Sequence, residues 1–337
     1  FDVLNVVLFG ASADVPAALQ SYSESVAALS SSARTWLGDN VDPVSSTTLF
    51  PIALPGLFIP PGSQIDWDGE QLVASSPGIL ALVGNDTVAV TQVSLNLSDA
   101  QNSFGFSVYQ QDEDSLFALA GFQATSAGDG SASLFSADAL AYYDGGNHLV
   151  FTGIQGGHNG DQAGLFAAGI DVEVGDTEVS GVGGYITQDP DAVNGGLSNA
   201  VIRTNGFDLT ADQLVFTRAG DEDSRSFTGV ATGDVSLALG SDFTTESDRL
   251  IIDMTEVGEQ STLTIALEGP TEGTISGSPF SASDGLTVES TVVGEDLTSL
   301  EARYAGDLRY VFGDSESDDP VLTSTAGTLT LTPETLS

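Results

Sequence analysis

From about residue 65 onward the chain is a succession of short runs in which apolar and polar residues alternate, each closed by Gly, Asp, Asn or Ser. Alternation with period two puts every second side chain on the same face of an extended strand, so each run reads as a half-buried β-strand. The runs are Val88 to Leu97, Phe104 to Tyr109, Leu116 to Phe122, His148 to Ile154, Leu165 to Val174, Glu178 to Ile186 and Ala200 to Leu209. They continue as Gln213 to Arg218, Ser226 to Leu239, Arg249 to Met254, Ser261 to Leu267, Leu286 to Val293, Leu300 to Phe312 and Val321 to Leu331. Strands at this spacing with polar turns predict a mainly β chain of antiparallel β-sandwich or barrel domains. Asp129-Gly130 and Asp144-Gly145-Gly146 carry the turn chemistry of hairpins. The pentapeptides 93–97 and 235–239 look alike, but such strands recur by chance in any β protein and define no repeat.

The first 64 residues have a different texture. Phe1 to Phe9 is almost wholly apolar and reads as a strand, punctuated by Gly10. An amphipathic helix follows. Ser12 or Asp14 can cap it and Pro16 suits its first turn. Val15, Leu19, Tyr22, Val26, Leu29, Ala33 and Trp36 form one apolar stripe, and Gly38 stands where a helix-ending glycine belongs. Residues 41–63 hold five prolines among many apolar residues, which predicts an extended segment lying along a surface. A chain of 337 residues is long for one domain. The predicted organisation is an N-terminal segment 1–64 and β domains 65–190 and 191–337. The turn-rich stretch 188–196 is the candidate boundary, and a long hairpin loop is its rival reading.

Charge decides which partners fit. The chain holds 48 acidic residues against seven arginines and no lysine, a formal net charge of −41. A phosphate backbone requires a cationic patch, so nucleic acid is excluded as a partner, and an anionic membrane surface is disfavoured. Self-repulsion of this size is relieved by salt, whose screening length shrinks from about 10 Å at 0.1 M to about 3 Å at 1 M. Bound divalent cations relieve it too. The composition therefore suits a saline or calcium-rich exterior and resembles that of halophilic proteins. Cysteine is absent, which removes disulfides and thiolate chemistry. The opening at Phe1 suggests a mature secreted or cell-surface chain whose leader was removed. No apolar run reaches the roughly 18 residues of a transmembrane helix.

Few motifs carry chemistry. His148 and His158 with Asp161 offer metal-ligand types, but their spacing matches no known signature. Gly196-Leu197-Ser198-Asn199-Ala200 echoes a nucleophile elbow, yet no histidine follows residue 158 to serve as its base. Lysine-dependent catalysis and phosphate loops are impossible without lysine. Phe9-Gly10-Ala11-Ser12 lacks the glycines of a dinucleotide site. Paired carboxylates could hydrolyse glycosides, but among 48 acids no pair stands out. Acidic loops remain, with oxygen ligands at i, i+2 that suit calcium. They are Asp112 with Asp114, Asp189 with Asp191, and Asp221 with Asp223. Asn85 and Asn96 begin glycosylation sequons.

These features predict a non-enzymatic extracellular or cell-surface structural subunit of a filament, surface layer or virion coat, adapted to a saline exterior. Its partners would be further copies or other surface proteins. Phe1, Val3, Leu4, Val6, Val7, Leu8 and Phe9 could add a strand to a neighbour's sheet, the rival reading being a central strand of their own domain. The competing reading is a secreted or surface ligand- or glycan-binding protein of adhesin type, calcium its only candidate cofactor. Trp67, Tyr109, Tyr142 and Tyr143 would supply its aromatics.

Overall fold

The alternation in these runs changes phase partway along the strands, and that change shapes the protein. The structure, a computed structural model, describes residues 15–331 except 56, 84–85, 113, 190, 221–223, 259, 294–295 and 312–320. The described residues are mostly antiparallel β-sheet with one helix among them, α1 (Val15–Asn40). The short strands are β1 (Val44–Thr47), β2 (Ile52–Leu54), β3 (Leu57–Ile59) and β4 (Gln64–Trp67). Long hairpin strands follow: β5 (Leu72–Val83), β6 (Asp86–Leu97), β7 (Gln101–Gln111), β8 (Ser115–Ala127), β9 (Ala132–Asp144), β10 (Asn147–Asn159) and β11 (Gln162–Val174). They continue as β12 (Thr177–Gln188), β13 (Ala192–Thr204), β14 (Phe207–Gly220), β15 (Ser224–Leu239) and β16 (Phe243–Val257). The chain closes with β17 (Gln260–Glu268), β18 (Thr271–Ile275), β19 (Ser278–Ala282), β20 (Leu286–Val293), β21 (Asp296–Val311) and β22 (Val321–Leu331).

Two compact units result. The first holds residues 1–175 and 187–190, the second 176–186 and 191–337. The first comprises α1 and β1 to β11; the second holds β13 to β22 and most of β12.

Most long strands are creased near their middle. Register slips between Thr91 and Ser94 in β6, Phe106 and Val108 in β7, Thr210 and Gln213 in β14, and Tyr304 and Asp307 in β21. Gln92, Gly153, Asn199 and Ala326 take positive φ at such points. A bulge inserts a residue, bends the strand and moves the following side chains to the opposite parity. In β14 the buried residues are Leu209 and Ala211 before the bulge and Leu214 after it. In β16 they are Thr245 and Ser247, then Leu250 and Ile252. One strand thereby lines the same interior with both halves. The described part of the second unit contains strands alone, so burial of both halves requires the sheet to fold over on itself about the crease.

Pairing of the short strands shows the two leaves separately. The 249–257 half of β16 pairs with β17, and its 243–246 half with β18. On the far side, β21 pairs with β20 through 296–304 and with β19 through 308–310. In the first unit β5 repeats the device around Pro77: residues 72–75 pair with β4, and residues 80–81 with β3. Gly153 shows why glycine occupies a crease. Its φ is +57°, and a Cβ there would stand 2.8 Å from the Cβ of Ala168.

Three expectations are corrected. The run Ala200 to Leu209 is not one strand but the end of β13 and the start of β14, turned at Asn205-Gly206, a dipeptide made for tight hairpins. The helix does not stop at Gly38. It continues to Asn40, where Val41 N–H still donates to the Leu37 carbonyl at 2.8 Å and Asn40 Nδ2 donates to the Trp36 carbonyl. Its buried face is also rotated from the predicted stripe: Ala27 and Ser30 are buried, whereas Leu29 is 71% and Trp36 59% exposed. Small residues let the helix approach the sheet closely, and that outweighs the size of the apolar side chains.

Candidate functional site

Register places side chains in rows that cross many strands on one face. In the first unit one row runs Trp67, Leu72, Leu97, Asn102, Ser126, Ser133 and His158, each directly opposite the next. The helix lies against this end of the sheet. Ala33, Leu37 and Val41 pack on Trp67, Leu72 and Leu97, and Trp67 Nε1–H donates to the Val41 carbonyl at 3.2 Å. Trp67 is thus a core residue rather than a ligand-facing aromatic. The row turns polar at Asn102, whose Oδ1 accepts from Ser30 Oγ at 2.5 Å. Asn102 Nδ2, Ser126 Oγ and both ring nitrogens of His158 are buried without a partner.

The remaining histidine is elsewhere. His148 lies near the start of β10 and His158 near its end, so the strand holds them apart at its two ends. His148 stacks on Tyr143 and places Nε2 3.1 Å from Asp171.

The acidic loops take several forms. Asp112 closes the turn from β7 to β8: its Oδ1 accepts from the backbone N–H of Asp114 at 3.0 Å and of Ser115 at 2.7 Å, and its Oδ2 from Ser115 Oγ. The Ser115 hydroxyl and these two N–H groups hold its carboxyl below the usual carboxylate range. Asp189 and Asp191 lie between β12 and β13. Asp221 and Asp223 fall outside the described residues, as do Phe1, Val3, Leu4, Val6, Val7, Leu8 and Phe9. Among the described residues no three His, Cys, Asp or Glu side chains group as a metal site would require. Tyr109 and Tyr143 are exposed, and Tyr142 donates its hydroxyl to Asp144. Asn96 sits within β6, its amide oxygen accepting from Gln71.

Two features of the second unit depend on strand pairing that the sequence does not display. One is a groove where the leaves diverge between β16 and β21. Glu246, Glu272, Ser281, Arg309 and Thr323 form one cross-strand row. A cleft of about 600 Å³ lies along β18, β19, β21 and β22, and an adjoining cleft of about 360 Å³ along β16, β18 and β19; both include Glu272, Ser281 and Arg309. The other feature is the edge strand β22, which among the described residues pairs only with β21. It spans eleven residues without a charge or a proline, and Val321 and Leu322 are about half exposed.

Among the described residues the architecture is antiparallel β-sheet of creased hairpins, with one helix packed on the sheet of the first unit. No known protein family, characterised protein or solved structure matches the chain. No helix among the described residues is long and apolar enough to cross a membrane.

Proposed function

We propose that this chain is a non-enzymatic structural subunit of a saline extracellular or cell-surface assembly, joined copy to copy through its sheet edge. The observation that carries this reading is β22. An exposed edge is a template for pairing, and proteins that stay apart blunt it with charges, proline or brevity. In a chain of net charge −41, eleven consecutive residues without a charge or a proline at an edge lack such protection. They also mark where an equally acidic second copy can approach without like charges directly opposite. A basic partner would instead favour an acidic edge. The short edge strands β1 and β2 offer far less ladder.

Light scattering across NaCl concentrations tests the proposal. Screening of self-repulsion should drive the 34.5 kDa chain into larger particles as salt rises. The double substitution Leu322→Glu and Thr328→Glu should hold it at monomer mass. A wild-type monomer at every salt concentration, or equal assembly of the edge variant, would overturn the reading.

A second reading, a surface protein that binds a glycan, is favoured by one observation only, the groove around Arg309.

A further inference from the structure

Arg309 is the exception among the arginines. Arg34 pairs with Asp99, Arg203 with Glu178, Arg249 with Glu268 and Arg303 with Glu301, and Arg218 and Arg225 are engaged as well. Arg309 has no such partner among the described residues, although acids outnumber arginines by 48 to 7. Register explains this. The nearest carboxylate along its row, Glu272, lies two strands away beyond Ser281, about 10 Å at the usual strand spacing. The Asp307 carboxylate is committed to the Thr325 hydroxyl at 2.9 Å. Among the described residues the guanidinium therefore stands in the groove with none of its five donors committed, flanked directly by the hydroxyls of Ser281 and Thr323.

We propose that this groove is a binding site for an acidic oligosaccharide, one whose carboxylates are spaced by neutral sugars. The guanidinium takes a carboxylate through two parallel hydrogen bonds. Ser281 and Thr323 meet the hydroxyls on either side of that carboxylate. Glu272 and Glu246, further along the row, accept from sugar hydroxyls and repel a second carboxylate placed close to the first. Pro270 and Pro279 border the clefts with apolar rings. Two adjoining clefts suit a chain of sugar units better than a single one. The same two glutamates argue against a run of acidic residues in a peptide, and one arginine is too little for a nucleic-acid backbone.

The probe is a tetrasaccharide alternating glucuronate and N-acetylglucosamine, titrated into the full chain by calorimetry at 0.15 M and 1 M NaCl. Controls are its carboxyl-reduced counterpart and tetraglutamate. Saturable binding is expected, weaker at 1 M salt, and at least tenfold weaker for the reduced sugar and for Arg309→Gln, since a charge-assisted bidentate contact is lost. Arg309→Lys should retain an intermediate affinity. Circular dichroism checks that the exposed substitutions leave the fold intact. Absence of saturable binding by the wild type, unchanged binding by Arg309→Gln, or equal binding of tetraglutamate would each overturn the proposal. The edge variant of β22 should bind the sugar like the wild type, so this site and the assembly edge fail or succeed separately.

Discussion

The two units use the same creased strands and bury different things. In the second unit the interior is filled by large side chains: Ile202, Leu209, Leu214, Phe227, Val235, Leu237, Leu250, Ile252 and Phe280 are all buried. In the first unit the buried sheet positions away from Trp67, Leu72 and Leu97 are small or polar: Ala124, Ala137, Ala163 and Ala167 with Asn102, Ser126 and His158. Four of its phenylalanines, Phe104, Phe106, Phe122 and Phe135, form a contiguous ladder with centroids 5.1–6.4 Å apart between neighbours, yet remain only half-buried. The well-packed cluster there is Trp67, Leu72 and Leu97, and it is completed by α1. A folded sheet can thus close on itself when both leaves bring bulky residues inward. In the first unit α1 supplies the packing around Trp67, Leu72 and Leu97 instead.

Breaking the helix contact should have the largest effect. Trp67→Ala removes a side chain 2% exposed and its bond to the Val41 carbonyl. A loss of about 3–5 kcal/mol is expected, read by urea denaturation. Hydrogen exchange should quicken in α1 and β4 while β14 to β16 stay protected. Equal quickening in both units would show that they open as one.

Leu250→Ala tests the other interior. The residue is 1% exposed, and the expected cost is about 2–5 kcal/mol. The exchange pattern should be the mirror of that for Trp67→Ala, with β15 to β17 released and α1 retained.

The crease is common to both units, and Gly153→Ala probes it in the first. A methyl group at φ +57° beside Ala168 should cost about 1–3 kcal/mol. A neutral result would mean that the bend is not imposed by this residue. Ser30→Ala is milder, at about 1 kcal/mol, because it strands the buried Asn102 oxygen beneath the helix. Valine at position 30 should be worse than alanine if close approach of the helix matters.

The smallest effect is expected at the turns. Asp112, Asp68 and Asp129 are exposed, and each carboxyl is held below its ordinary value, Asp112 by the Ser115 hydroxyl and two backbone N–H groups, Asp68 by the backbone N–H groups of Gln71 and Glu70, and Asp129 by the backbone N–H and hydroxyl of Ser131. A depressed folded pKa stabilises above the unfolded value, and that contribution disappears as pH falls through the folded one. NMR titration should find these three midpoints below those of unstructured aspartates, and Asp112→Ala should abolish the order of the β7–β8 turn at every pH. A midpoint for Asp112 at the unstructured value would remove the turn's role.

Much of this architecture is local in origin. Val321 to Leu331 is legible residue for residue as β22, and Asp144-Gly145-Gly146 as the turn between β9 and β10, because period-two alternation and positive-φ turn residues act over a few neighbours. The helix was legible as an element for the same reason. Its buried face was not, since that depends on Trp67 and Asn102, which lie 30 and 72 positions beyond Leu37 and Ser30. Nor could separate short runs be recognised as the two halves of one strand, as with Arg249 to Met254 and the residues before it in β16: a bulge looks like an interruption until a partner strand supplies the register. The groove shows the same limit. Glu272, Ser281, Arg309 and Thr323 have no pattern along the chain, and only cross-strand pairing sets them about 5 Å apart in a row. Composition and periodicity determined that this chain is acidic, antiparallel and built of hairpins. Which distant residues meet was settled by register, a property that exists only once the strands are side by side.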